Sequence, residues 1–375
     1  MEKVKFNNGK LTVLQISDAQ DMHWVRKTML RMLEKACERV NPDLIVFTGD
    51  NILGNHLCDQ RFGSGQRNLS RSEEYEILKT ALHHILDIPE KRGIPFAAIF
   101  GNHDDRNSFS KDEQADIFRE CMMNRGFENT GELCGTYCLP VYSSDGEKRI
   151  TNFWMLDTAR YDKEQDQCFE EITDVQVDWF RKESEKLKAE NGGKPYPSLM
   201  FMHIPFEQIT NLYDRCGKEN AELEFDGVYY RFKESASGKL GEPSSAVADD
   251  SGMYAAVLAD GGIKGIISGH DHRNCFTGEY DGIKFVATPC ASFRCYGNET
   301  RGVRVFEIDE KTPDQFNTYT LNYTDLCGSG VLSKLRYFCD ADEMEKPKFA
   351  VLCAAATAAA ATAVIAGIKK LTVNS

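Results

Sequence analysis

The chain has 375 residues, 41% of them apolar, enough to build a large layered core and to exclude a disordered chain. Its formal charge of −13 would repel a polyanion, and no Lys/Arg-rich stripe interleaved with aromatics offsets it, so long nucleic acids are poor candidates as partners. Its 13 cysteines are scattered without CxxC pairs, which excludes a small disulfide scaffold and fits reduced thiols in a cytoplasmic protein.

The N-terminal run MEKVKFNNGKLTVLQIS contains no apolar signal core. Leu11 to Ser17 reads as a buried strand ending at Asp18, and Val25 to Val40 carries apolar residues at helical spacing up to Asn41-Pro42. The next strand, Leu44 to Thr48, stops at Gly49-Asp50, and a polar stretch from Asn51 leads into a helix near Glu73 to Ile88. Pro95 to Phe100 is a third strand, stopping at Gly101-Asn102-His103. A helix near Lys111 to Asn124 then precedes an antiparallel pair, Thr136 to Tyr142 and Arg149 to Leu156. The helix Val175 to Leu187 precedes the strand Ser198 to Met202, which ends at His203. The helix Gly252 to Ala259 precedes Ile263 to Ser268, which ends at Gly269-His270. Strands near Lys284 to Thr288, Val303 to Ile308 and Phe316 to Leu321 close the globular part.

No Pro/Ser/Gly-rich linker divides this pattern, so one catalytic domain is expected over residues 1–325, with a polar insertion at 205–250. That insertion includes Tyr229, Tyr230 and Arg231 and is a candidate to shape a substrate site; the plain alternative is a solvated excursion. Residues 326–348 read as a linker or extension. Phe349 to Ile368 carries no charge over 20 residues, about 30 Å as a helix, with lysines on both flanks. Two readings stand: a transmembrane anchor that would hold a cytoplasmic domain at a membrane, or an Ala-rich helix that packs on the domain or hangs loose.

Five apolar strands thus each deliver an Asp, Asn or His from the C-terminal end, where the crevice of an α/β sheet opens. The blocks are Asp18-Ala19-Gln20, Gly49-Asp50-Asn51, Gly101-Asn102-His103-Asp104, Met202-His203-Ile204-Pro205 and Gly269-His270-Asp271-His272. Alone, His103 or His203 reads more simply as a structural histidine and Asp18 as a capping residue; five ordered strand-end blocks do not. Their types and order resemble the calcineurin-like metallophosphoesterase superfamily, and more closely its purple-acid-phosphatase-like branch. FTGDNILG, GNHDD, SGHDHRN and GEYDGIKF carry the closer likeness.

The resemblance implies a four-layer α/β/β/α sandwich and a centre of two divalent metal ions. Asp50 would bridge them; Asp18 and His272 would complete one metal, with Gln20 beside them, and Asn102, His203 and His270 the other. It also implies that His103 protonates the leaving oxygen or stabilises phosphoryl charge, with Asp104 or another carboxylate orienting its ring. The chemistry asks for the same parts: a phosphate ester repels nucleophiles, and two cations supply a metal-bound hydroxide and offset charge in the transition state. Hydrolysis of a phosphomonoester or small phosphodiester is the expected activity.

Two departures bear on this expectation. Gln20 stands where the family carries a histidine, and an amide oxygen is a weaker ligand than imidazole; Asp21 or His23 would compensate if the loop turned back. The purple enzymes' tyrosine is replaced at Leu53, which removes the reason for ferric iron and favours Mn or Fe(II), with Zn next. The rivals are a nucleotide or lipid phosphodiesterase and a catalytically silent scaffold that binds a protein. Asp157 ends the strand WMLD and faces either the cleft or a structural partner, whereas His83 and His84 read as ordinary helix residues.

Overall fold

The computed structural model describes residues 2–60, 65–159, 172–247 and 251–342. The expected helix or membrane segment at 349–368 and the end of the 205–250 insertion lie outside the described residues. No helix among the described residues is long and apolar enough to cross a membrane.

The elements follow in chain order: β1 (Val4–Lys5), β2 (Lys10–Ile16), α1 (Lys27–Val40), β3 (Leu44–Thr48), α2 (Arg71–Arg92), β4 (Phe96–Ile99) and α3 (Lys111–Arg119). The middle of the chain holds β5 (Tyr137–Tyr142), β6 (Arg149–Leu156), α4 (Asp174–Glu190), β7 (Ser198–Met202), β8 (Tyr213–Arg215), β9 (Leu223–Phe225), β10 (Val228–Phe232) and β11 (Ala236–Lys239). The last third holds α5 (Met253–Asp260), β12 (Ile263–Ser268), β13 (Cys275–Tyr280), β14 (Ile283–Ala287), β15 (Gly302–Asp309), β16 (Phe316–Asn322), α6 (Tyr323–Cys327) and α7 (Val331–Asp340).

Two sheets carry the domain. One has the order β16-β15-β2-β3-β4, with β2, β3 and β4 parallel; the other has the order β1-β5-β6-β7-β12-β14-β13-β11, with β6, β7, β12 and β14 parallel. Side chains alternate across each strand, so every central strand serves two cores. Val13, Val46, Phe201 and Ile267 face the space between the sheets. Leu14, Ile16, Ile45 and Phe47 pack outward against Met29 and Leu33 of α1 and Leu82 and Ile85 of α2. Met200, Met202 and Ile266 pack outward on the other side against Phe180 of α4 and Val257 of α5. The result is the expected α/β/β/α sandwich, and each fully buried side chain such as Phe201 contributes about 1.5–3 kcal/mol of burial.

Local signals fix where the helices start and stop. Ser70 with Glu73 and Thr173 with Gln176 form reciprocal caps at the starts of α2 and α4. Asn41 ends α1 with φ of 48° and returns its N–H to the Cys37 carbonyl. The helix that was expected to reach Asn124 ends at Arg119, and α2 continues past Ile88 to Arg92 with Pro89 inside its last turn.

The described part of the insertion, expected to be polar, carries regular structure. It forms the three-stranded sheet β8-β10-β9, and β11 then joins the edge of the large sheet. Ser245 N donates to Asp271 Oδ1, and Gly241 N and Glu242 N donate to Asn274 Oδ1, so the insertion is tied to the last of the five blocks. Residues 331–340, expected within an extension, form α7 and bond into the body of the domain.

Candidate metal centre

Strands β2, β3 and β4 of one sheet and β7 and β12 of the other end beside one space, and after each the chain turns and directs a buried or half-buried polar residue into it. Asp18, Asp50 and His270 reach it with φ of 52°, 47° and 68°, the left-handed region that L-residues rarely occupy. Gly101 permits the approach, because a Cβ there would lie 2.1 Å from Asp50 N and 2.2 Å from Asp50 Oδ1.

The backbone and neighbouring hydroxyls aim the two carboxylates. Ser17 Oγ (2.5 Å) and His270 N (3.1 Å) both donate to Asp18 Oδ2. Asp18 Oδ1 is buried and accepts no hydrogen bond; it lies 3.4 Å from His272 Nε2 and 3.9 Å from His203 Nε2. Asp50 Oδ1 accepts from His103 N at 2.7 Å and lies 3.4 Å from His203 Nε2, while its Oδ2 accepts from Gln20 Nε2 at 2.6 Å. Asp18, Asp50 and His203 each offer one ligand atom within 4.8 Å of the others.

Two imidazoles are oriented by main-chain carbonyls. His203 Nδ1 donates to Thr48 O at 2.9 Å and His272 Nδ1 to Tyr296 O at 2.8 Å, which turns both Nε2 atoms inward. His203 Nε2 also lies 3.1 Å from Asn102 Oδ1. His272 stacks on the Tyr296 ring at 4.2 Å with 14° between planes, and the Arg273 guanidinium lies 5.0 Å from the centre of that ring. The His270 ring sits 5.2 Å from that of His203.

The electrostatics follow from crowding buried charge. Burial alone would raise the Asp18 and Asp50 carboxyls, but His203 beside both, with His272 and His103, holds them below the usual carboxylate range. Burial would lower His203, but Asp50 and Asp18 push it up to about 10. His270 is pushed down to about 3 by burial and by His203. Two buried acceptors, Asp18 Oδ1 and Gln20 Oε1, have no donor. Paired carboxylates, inward-turned imidazole nitrogens and orphaned acceptors make a donor set that fits divalent cations.

The structure thus brings Asp18, Gln20, Asp50, Asn102, His203, His270 and His272 together, with His103 at their edge. Asp104 is a correction. Its carboxylate accepts from Gly101 N, Asn51 N and Ile52 N, so it staples the two loops, and it is Asn55 Oδ1, 3.2 Å away, that meets His103 Nδ1. Neither Asp21 nor His23 compensates for Gln20. Asp21 takes the Arg294 guanidinium and the amides of Met22 and Arg26, and His23 Nε2 lies 3.3 Å from Arg67. Asp157 is structural, paired with Lys111 at 2.6 Å with both side chains nearly buried. Tyr296 comes from the irregular segment between β14 and β15, as does Ser292, whose Oγ donates to Gln20 O at 2.8 Å; neither left a sign in the sequence.

Residues 11–274 match the family model for calcineurin-like phosphoesterases. Among curated relatives, the Arabidopsis thaliana protein called probable inactive purple acid phosphatase 29 is 25% identical over 346 residues, covering 82% of this chain and 79% of its own. Probable inactive purple acid phosphatase 14 of the same plant is 26% identical over 357 residues, covering 83% and 78%. Among solved structures, a dimetal phosphatase from Danio rerio aligns at 12% identity with a TM-score of 0.47, covering 84% of this chain and 99% of that one.

Proposed function

The chain belongs to the calcineurin-like phosphoesterase family, and from that premise we propose that it hydrolyses phosphomonoesters or small phosphodiesters at a centre of two divalent metal ions. The observation that carries this reading is the convergence of the Asp18, Asp50 and His203 ligand atoms within 4.8 Å, at the edge where five strands end. Asp50 would be shared between the ions; Asp18 and His272 would hold one, and Asn102, His203 and His270 the other. Mn or Fe(II), with Zn next, suits this mixture of carboxylate, amide and imidazole. Bound there, the ions would acidify a water and offset the charge of an anionic ester.

The remaining work falls to the chain. Thr48 O and Tyr296 O keep His203 and His272 in the tautomer that presents Nε2. His103 commits Nδ1 to Asn55 Oδ1, so Nε2 is the atom that would hand a proton to the leaving oxygen. Burial pushes the His103 imidazole down, with Asp50 opposing, and an incoming phosphate would add to the pull of Asp50 and favour the protonated form. The insertion, bonded to Asp271 and Asn274, would help to shape the substrate site. The acidic charge of the chain favours small substrates over polymers.

A second reading, a silent scaffold that binds a protein, is favoured by one observation: the position for an imidazole holds Gln20, whose Nε2 donates to Asp50. The test is turnover of an aryl phosphomonoester and an aryl phosphodiester after metal stripping and reloading with Mn, Fe(II), Zn or Mg. Metal-restored turnover that Asp50→Asn and His103→Ala both remove supports hydrolysis. No turnover with any metal, together with turnover gained by Gln20→His, selects the scaffold.

A further inference from the structure

α7 is turned inside out. At about 100° per residue, Ser333, Tyr337 and Asp340 share one face of this helix, and that polar face is the one pinned to the domain. Tyr323 Oη donates to Ser333 O, Arg301 Nη1 and Tyr337 Oη lie 3.0 Å apart, Tyr337 Oη donates to Asn298 O, and Thr28 N donates to Asp340 Oδ2. The Tyr337 ring meets Phe293 and Tyr323 edge-on. The opposite face spans about 120° and carries Phe338, Val331, Leu335, Cys339 and Leu332 in that order around the helix. Val331, Leu332 and Leu335 are 75%, 69% and 43% exposed. They are three of the eight large apolar residues that stand exposed among the described residues, gathered on ten residues of chain, which is a patch and not scatter. Lys334 and Arg336, both exposed, border the arc on its two sides.

We propose that this face of α7 lies on a lipid bilayer, with its apolar arc at the headgroup boundary and Lys334 and Arg336 at the level of the phosphates. An apolar arc bordered by cationic side chains that extend toward water is the pattern of an interfacial helix. The chain beyond α7 has the matching chemistry. Residues 349–368 carry no charge, and Lys346 and Lys348 precede them. The eight residues between α7 and that segment span at most about 28 Å, so any bilayer that takes up the segment lies within reach of α7. A second copy of the chain fits less well, because a two-fold contact through this face would set its basic borders against each other. The proposal is independent of the phosphoesterase reading.

The test uses the full chain with phosphatidylcholine/phosphatidylserine vesicles. Hydrogen exchange is followed in the 331–340 amides, and flotation is compared with that of a Val331→Glu, Leu335→Glu variant. Both positions are exposed, and unchanged exchange elsewhere checks that the variant is folded. Vesicles are expected to slow exchange in 331–340 by about tenfold, and the variant to float several-fold less well. The proposal is overturned if the chain does not float, or if it floats while 331–340 exchanges as in solution, so that another segment makes the contact. It is also overturned if protection of 331–340 rises with protein concentration without vesicles, which assigns the face to a second copy.

Discussion

Gln20 Nε2 donates a 2.6 Å hydrogen bond to Asp50 Oδ2, so the residue that replaces an imidazole ties up an oxygen of the carboxylate proposed to bridge the metals. Its Oε1 has no donor, and Gln20 is 1% exposed. Filling the adjacent position requires that hydrogen bond to break. The two ions are therefore expected to bind unequally, the one near Asn102 and His203 first. Gln20→His should tighten the weaker ion by about tenfold. Titration with Mn followed by paramagnetic resonance would show it; two equal sites in the wild type would refute it.

Metal binding should release protons. Asp50 and Asp18 push His203 up to about 10, above the ordinary 6.5, so the metal-free protein keeps that proton at neutral pH, and a metal needs the Nε2 lone pair. Affinity should climb as pH rises toward 10. In the metal-free protein the same raised value adds stability that is complete below 6.5 and is lost as pH rises through about 10. Calorimetry in two buffers of unlike ionisation enthalpy decides: equal heats in both mean no proton is released.

Tyr296→Ala keeps the main-chain acceptor for His272 but removes the ring beneath it. The imidazole then gains freedom, and the affinity for the metal on the Asp18 side should fall by about tenfold, with little loss of fold stability. Tyr296→Phe should bind as the wild type does, since the stack does not use the hydroxyl. A Phe variant as weak as the Ala variant would shift the role to the bond between Tyr296 Oη and Glu242.

Gly101→Ala tests whether close approach of the two loops builds the site. The added methyl would lie 2.1 Å from Asp50 N, against backbone that cannot swing away. Metal binding should be lost while the circular dichroism spectrum stays native. A variant that loads both ions normally would show that the loop relaxes at no cost to the site.

Asp157→Ala should leave the chemistry intact and weaken the fold. It strands Lys111, 11% exposed, without its partner at 2.6 Å, a change worth roughly 3–5 kcal/mol. Urea denaturation reads the loss. A collapse of turnover in still-folded protein would instead place Asp157 in the cleft.

The strands and the donors at their ends were legible because a buried strand writes itself as an unbroken apolar run that stops where the crevice opens, as at Ile16, Thr48 and Met202. The direction of a polar side chain was not. Asp104 sits one residue from His103 in sequence, yet its carboxylate is drawn to three amides that only the folded loops bring together. Tyr296 and Ser292 lie in a segment with no period to read. The strands of the insertion are as short as three residues, too few to show alternation. α7 is hard to read for the opposite reason: its inner face is the polar one, so the usual rule reads it reversed.

The left-handed backbone at Asp18, Asp50 and His270 sets the interests of the fold against those of the site. Such conformations cost about 1 kcal/mol or more each for residues with a side chain, and glycine would relieve them. Heat selection acting on a library of this gene would therefore reward the loss of the very side chains proposed to gather the cations. The hardiest survivors would be the emptiest. Any effort to toughen the molecule must hold those three positions fixed and look for its gains elsewhere, in the cores on either side of the sheets.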